Sequence, residues 1–498
     1  MDRASRNKLD PTTGVGAIVR AFSLALTLLL AACAAIDTHP VAAPIAVPAV
    51  ATPPALPITA PVNPERKRLM EAFGGQYAAP GAERYLDEIL ARLAPASQTP
   101  SEPYRVTLLD SPIVNAFALP TGDIFITRGL LALADDGAEV AAVMAHEIAH
   151  ITAHHAAQRA ELERTEQLFK RVSNQVLAKP QQGQEVEARM KLSIAHFSRQ
   201  QEFEADQIGI KVIAKAGYDP YAASRFLNSL GQWSALRASM IGVGPADKPD
   251  MMATHPSTPE RVAQAMVEAR EIGAPGIGDT ARDSYLTAID GIAFGDNPAQ
   301  GLVIGTRFLH PKLGFAFEAP EGFVLDNESA ALIGVGEGGA EALRLDSIEA
   351  SDSTTLESAL ASGWIDGVQT SSIAPIDDAD LPMASAVAQG HEWSFRLGAV
   401  RLGGRIYRLI FAAHSLTPAV DARFLASIRS FHRLKPEEAA QARPLRLQVV
   451  AAQPGETPAS FAQRMSVLDR ALDQFLVLNG LEAGAATPAG QRFKIVTP

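Results

Sequence analysis

The hydrophobic pattern of this chain changes three times, and each change marks a candidate domain. From Glu65 to about Ile272 apolar residues recur at helical spacings. The run Val140-Ala141-Ala142-Val143-Met144-Ala145 contains neither Gly nor Pro, and Ile148 and Ile151 prolong its stripe, so a buried helix is predicted there. A second helix is predicted from Ile194, Phe197, Ile208, Val212 and Ile213, with Gly217 as its C-cap, and Asp219-Pro220 opens another. Lys179 to Gln184 is a polar break suited to a mobile flap, and Gly242 to Pro249 reads as loop. Strands interrupt the helices near 104–127, where Ala116-Phe117-Ala118-Leu119, a Pro-Thr-Gly-Asp turn and Ile124-Phe125-Ile126-Thr127 read as a hairpin.

From about Tyr285 alternation takes over, in runs such as Gly314 to Pro320 and Arg405 to Phe411, with helical stretches at 354–364 and 418–430. Residues 300–435 are therefore expected to form an α+β domain, in which His310, His391, His414 and His432 are scattered surface or capping groups. The last 55 residues order as strand (Arg446–Val450), helix, helix (ending near Leu478) and strand (Gly490–Val496). The expected fold class is α+β multidomain: a mainly helical domain with a small sheet at 65–275, the α+β domain at 300–435, and a small βααβ unit at 444–498.

The chemistry lies in the buried helix. His146-Glu147-Ile148-Ala149-His150 puts two imidazoles four residues apart on one helical face, where both reach one zinc ion, and Glu147 stands beside them to take a proton from water. A third protein ligand is needed. In Glu202-Phe203-Glu204-Ala205-Asp206 the carboxylates of Glu202 and Asp206 lie four apart, so one can bind metal while the other reaches a ligand histidine's free N–H; Glu204 competes. A solvated acidic face would read the same way in isolation. His154 and His155 extend the first helix and are read as structural or surface groups.

These motifs, with the upstream Asn115-Ala116-Phe117-Ala118-Leu119-Pro120-Thr121-Gly122, resemble gluzincin metallopeptidases of the HtpX and CAAX-prenyl-protease type, and among them the soluble periplasmic, BepA-like branch. The resemblance covers roughly 65–270. It implies a zincin peptidase fold holding one zinc per chain, with His146, His150 and Glu202 as ligands, Glu147 as general base and Asp206 behind a ligand histidine. It also implies that Asn115, Ala116, Phe117 and Ala118 form an edge strand pairing with extended substrate. His255, in Ala253-Thr254-His255-Pro256-Ser257-Thr258-Pro259-Glu260-Arg261, resembles a family motif whose His either fills the fourth zinc position as a latch or stabilises the oxyanion. Pro256 biases His255 to an extended conformation, from which its imidazole can project from a loop, and the latch is favoured because a protease tethered among other envelope proteins needs restraint. The last 55 residues, with Gly455-Glu456-Thr457 and Leu478-Asn479-Gly480-Leu481, resemble a LysM module, which implies binding to peptidoglycan.

The N-terminus supplies an address. Arg3, Arg6, Lys8 and Arg20 precede an apolar run from Ala21 to Ala32, which is too short to span a bilayer and suits a signal peptide at 1–32. Cys33, the only cysteine, follows small residues and resembles the lipidated residue of a bacterial lipobox, with Ala34 and Ala35 favouring the outer membrane of a Gram-negative cell. Residues 33–64 are rich in Ala and Pro and read as a tether. Without residues 1–32, four basic and two acidic groups go, leaving 40 Lys+Arg against 53 Asp+Glu and a net charge of −13. No basic stripe appears, which argues against nucleic acid as a partner. The expected protein is a periplasmic, lipid-anchored zinc metalloendopeptidase whose partners are unfolded or misassembled envelope proteins. Its competitors are a non-proteolytic chaperone and a cell-wall-binding lipoprotein that uses the domain as scaffold. If the address is read correctly, Cys33→Ser leaves an uncleaved, unlipidated precursor on radiolabelled-palmitate gels. A mature soluble form beginning near Ala34 would mean an ordinary secretory signal instead.

Overall fold

A computed structural model describes residues 64–161, 197–241, 255–328, 331–377, 379–467 and 469–498. The leader, Cys33, nearly all of the tether, the Lys179–Gln184 break and the Gly242–Pro249 loop lie outside them. Helices and strands mix as expected, and among the described residues no helix is long and apolar enough to cross a membrane.

The first region opens with α1 (Pro64–Ala72) and α2 (Pro80–Leu93). Strands β1 (Arg105–Leu109), β2 (Ala116–Ala118) and β3 (Asp123–Thr127) follow. They form a sheet in the order β1-β3-β2, with β1 parallel and β2 antiparallel to β3. The predicted hairpin is therefore present, and Gly122, at φ 85°, makes its turn. Helix α3 (Arg128–Leu133) leads into α4 (Gly137–Thr152), the helix that carries the His pair. Asp136 caps α4 by accepting from Glu139 N at 2.9 Å, and every residue from Gly137 to His150 is buried. Helix α5 (Arg199–Lys215) begins with a capping box between Ser198 and Gln201 and is followed by Gly217 at φ 83°. Phe197 thus stands just before this helix rather than on its apolar stripe. Helices α6 (Ala222–Ile241), α7 (Pro259–Ile272) and α8 (Arg282–Ile289) complete the region.

One expectation is overturned here. His154 and His155 do not extend α4. The helix stops at Thr152, His154 turns the chain in the left-handed region at φ 54°, and a new helical turn starts at His155. His154 is exposed and His155 is fully buried.

Residues 302–433 build two antiparallel sheets. One has four strands and includes Phe315–Glu318; the other has seven and includes the long strands Glu341–Glu349, Ser394–Leu402 and Arg405–Ala413. Helices Leu356–Ala361 and Pro418–Arg429 lie close to the predicted positions, and Phe424 and Ile428 of the second enter a core with Phe315, Phe317 and Phe411.

The C-terminal order strand (Leu445–Ala451), helix (Pro458–Ala462), helix (Ala471–Leu478), strand (Arg492–Thr497) is as read. It shares one core with the first region, because Phe461, Phe475, Phe493 and Ile495 pack in the same cluster as Leu131, Val140 and Phe226. Its sheet takes in Ala293–Phe294 as a third strand. Lys494 is the deepest link. It is fully buried and donates to the carbonyls of Ala132, Leu133 and Ala134 at 3.0, 3.2 and 2.5 Å, supplying the C-terminal end of α3 with a cation, and lies 3.4 Å from Asp135. Burial pushes the Lys494 ammonium down and the Asp135 carboxyl up to about 6. Lys494→Met leaves three carbonyls without their donor and Asp135 without its cation, so α3 and the start of α4 should lose about 3–5 kcal/mol. The readout is faster native-state hydrogen exchange at Leu133–Val140; unchanged exchange there would show that the C-terminal strand does not hold this junction.

Candidate metal centre

Helices α4 and α5 cross at Gly209, where an added Cβ would stand 3.1 Å from His146 N. That close approach lets the first turns of α5 face His146 and His150. The His pair comes from α4, Glu202 and Asp206 from α5, and His255 from the residues before α7. All five are buried.

Four of these side chains converge. His146 Nε2 lies 3.0 Å from His150 Nε2 and 3.2 Å from His255 Nδ1. The Glu202 carboxylate lies 3.0 Å from His255 Nδ1, 3.5 Å from His146 Nε2 and 3.6 Å from His150 Nε2. One ligating atom from each of the four lies within 4.8 Å of all the others. A tetrahedral zinc ion with bonds of 2.0–2.1 Å separates its ligands by roughly 3.3 Å. The five contacts above, at 3.0 to 3.6 Å, bracket that value.

The surroundings agree with a cation. Among the buried groups Glu147, Glu202 and Asp206 bring three negative charges, and Arg261 supplies one positive charge. With neutral imidazoles, two charges remain uncompensated, which a divalent ion matches. The same surplus acts on the protons. Burial opposes a charged His146, but hydrogen bonds to Asp206 and Glu202 outweigh it and lift its pKa to about 10. Burial and the neighbouring His146 and His255 hold His150 well below the ordinary imidazole range. Burial also opposes ionisation of Glu202, yet the attraction of His255 and hydrogen bonds from His146 and His255 keep its carboxyl far below the usual range.

A further set of contacts fixes the ligands. His146 Nδ1 lies 2.9 Å from Asp206, which holds a proton on Nδ1, so that the neutral ring of a metal-bound His146 would turn its Nε2 lone pair into the cluster. Arg261, 3% exposed, donates from Nε and Nη2 to Asp206, both at 2.8 Å, and reaches Glu202 with Nη1 at 2.8 Å. This residue was passed over in the sequence, although it closes the motif that drew notice to His255. An arginine six positions after a candidate ligand was the available signal. Phe197 stacks on the His150 ring with centroids 3.9 Å apart. Glu204 points away, with its side chain 53% exposed and its carboxylate 3.5 Å from His155 Nε2. Glu147 Oε1 is buried, 3.6 Å from His255 Nε2, and no hydrogen-bond partner meets it among the described residues.

The strand containing Ala116, Phe117 and Ala118 lies beside α4 at the edge of its sheet, and among the described residues no strand pairs with its outer side. Asn115 is buried, its N donating to Thr127 Oγ1 at 3.0 Å, and Phe117 packs on Phe73 and Phe125.

Residues 80–269 match Peptidase family M48. The M48 match contains every residue of the cluster. The Beta-barrel assembly-enhancing protease of Escherichia coli (strain K12) is 29% identical over 212 residues, 41% of this chain and 42% of its own. The Mitochondrial metalloendopeptidase OMA1 of Arabidopsis thaliana is 36% identical over 168 residues, 33% of this chain and 32% of its own. The chain thus spans less than half the length of either relative. Among solved structures, the cyanobacterial PsbP of Synechocystis sp. PCC 6803 covers 28% of this chain and 98% of its own at 15% identity and a TM-score of 0.21, which is too low to argue from.

The geometry separates the two candidate carboxylates. Glu202→Ala is expected to lower bound zinc strongly on metal analysis, whereas Glu204→Ala should retain it, because Glu202 is the one anionic member of the four-residue cluster and Glu204 points away from it. Arg261→Ala should weaken zinc binding by about 10–100-fold in chelator competition, since Glu202 and Asp206 lose the group that orients them. Full zinc in Glu202→Ala would place the metal elsewhere.

Proposed function

We propose that this chain is a zinc metalloendopeptidase of the cell envelope, held by a lipid on Cys33 and acting on misfolded or stalled envelope proteins. The observation that carries the reading is the convergence of His146, His150, Glu202 and His255 on one point, with Glu147 buried beside them. The M48 match and the metalloendopeptidase and protease relatives support the same reading.

Zinc at this position supplies Lewis acidity to a peptide carbonyl and to water. His146 and His150 present their Nε2 lone pairs, and Glu202 presents a carboxylate. Burial raises the Glu147 pKa above the usual glutamate range, which makes it a stronger base toward the attacking water and a group able to pass the proton to the leaving amine. Glu147 Oε1, buried and without a hydrogen-bond partner among the described residues, offers an acceptor for that proton. The edge position of Ala116–Ala118 beside α4 supports substrate binding by strand addition, which selects an extended backbone more than particular side chains.

His255 enters the reading as a fourth ligand. Its Nδ1 joins the donor cluster, and its Nε2 faces Glu147. With His255 in the cluster the enzyme would be latent, and cleavage would require His255 to move out of it. A role for His255 in holding the oxyanion belongs to the opened form. Binding of peptidoglycan by residues 444–498 is a part of the proposal that rests on sequence resemblance alone.

The test is Glu147→Gln in the full chain. It should keep zinc and fold, by metal analysis and circular dichroism, and lose cleavage of unfolded casein by at least about 10³-fold. A cell in which this variant replaces wild type without phenotype would sink the proteolytic reading and leave a chaperone or scaffold. His255→Ala is expected to raise basal cleavage if the latch is correct, and to lower it if His255 serves only the oxyanion.

A further inference from the structure

His155 takes no part in the chemistry described so far, yet it is buried at 0% exposure behind His150. Its Nδ1 lies 2.9 Å from His150 Nδ1, with the two rings at 70°. Such a contact holds one proton, since two N–H groups cannot face each other and two lone pairs would repel. His150 turns Nε2 into the ligand cluster, 3.0 Å from His146 Nε2, so a neutral His150 that offers a lone pair there carries its proton on Nδ1. The acceptor must then be Nδ1 of His155, whose own proton sits on Nε2 and faces Glu204 at 3.5 Å.

We infer that His155 is the positioning residue for His150: it accepts the Nδ1–H of His150 and so fixes the tautomer and ring angle that aim Nε2 at the metal. The inference rests on the metal-site reading above and extends it by one residue. The chain is shaped for this contact. In an unbroken helix a residue five positions on points about 140° away from the first. The stop at Thr152 and the left-handed turn at His154 bring His155 back onto His150. Phe197 covers the face of the His150 ring at 3.9 Å, so packing limits its tilt while His155 limits its rotation. The two ligand imidazoles are thus held by different partners, His146 by the Asp206 carboxylate and His150 by a neutral imidazole.

The experiment has two arms on the full chain. In wild-type protein loaded with zinc and labelled with ¹⁵N-histidine, NMR should find His155 unprotonated at Nδ1 and protonated at Nε2; a proton on His155 Nδ1 overturns the inference without any substitution. In chelator competition, His155→Leu should weaken zinc binding by about 10–100-fold, the usual cost of losing a ligand's outer partner. His155→Asn, which offers Oδ1 near the place of Nδ1, should restore affinity close to wild type. Unchanged affinity in His155→Leu, or equal losses in both variants, would reduce His155 to packing. Wild-type protein that binds no zinc would sink the metal reading itself, whereas tight binding indifferent to position 155 sinks only this inference.

Discussion

Arg261 lies with one nitrogen 2.8 Å from Glu202 and two others 2.8 Å from Asp206, almost entirely out of water. Burial opposes the charge of Asp206, and hydrogen bonds from Arg261 and His146 overcome it; Glu202 is kept ionised chiefly by His255 and His146, with Arg261 as a further cation beside it. An unpaired buried charge is removed by taking up a proton, and a protonated Glu202 is a poor ligand. Arg261 has a structural anchor of its own, donating to Pro256 O at 2.9 Å and so tying the segment of His255 to the same guanidinium. One planar group therefore joins two acids and the loop before α7. A lysine has the charge but lacks the planar fork with which Arg261 grips both oxygens of Asp206.

That clamp works only because α4 and α5 are held close. Gly209 permits the approach, and the N-terminal end of α4 is fixed from the other side. Arg225 pairs there with Asp136 at 2.8 Å and with Asp219, and Glu139 lies within 3.4 Å of it. Lys494 holds the end of α3 immediately before. The metal helix is thus gripped at its start by the C-terminal strand and along its length by α5, and the C-terminal segment contributes to the core that carries the site.

Much of this was legible in the sequence. The HEIAH spacing gave the two facing histidines, the four-residue interval of Glu202 and Asp206 placed both on the side of α5 that faces α4, and alternation located the 116–127 hairpin. What escaped notice depends on distance in space. Arg261 acts across 55 and 59 residues of chain on acids that give no local sign of needing a cation. The break after Thr152 was hidden because Ala153, His154 and His155 contain no Gly or Pro, and a left-handed histidine leaves no compositional mark. The union of the last 55 residues with the first region was likewise hidden, since strand and helix patterns report which faces are apolar but not which partner covers them.

The turn at His154 has a consequence for the length of the chain. Between His150 and His155 four residues must end a helix, turn the chain and let another begin with the imidazole against His150. One residue more or fewer would swing the following side chain by about 100° and carry the imidazole away from its partner. The segment therefore tolerates changes of residue far better than changes of length. It works as a ruler whose unit is the peptide, with two histidines as its end marks.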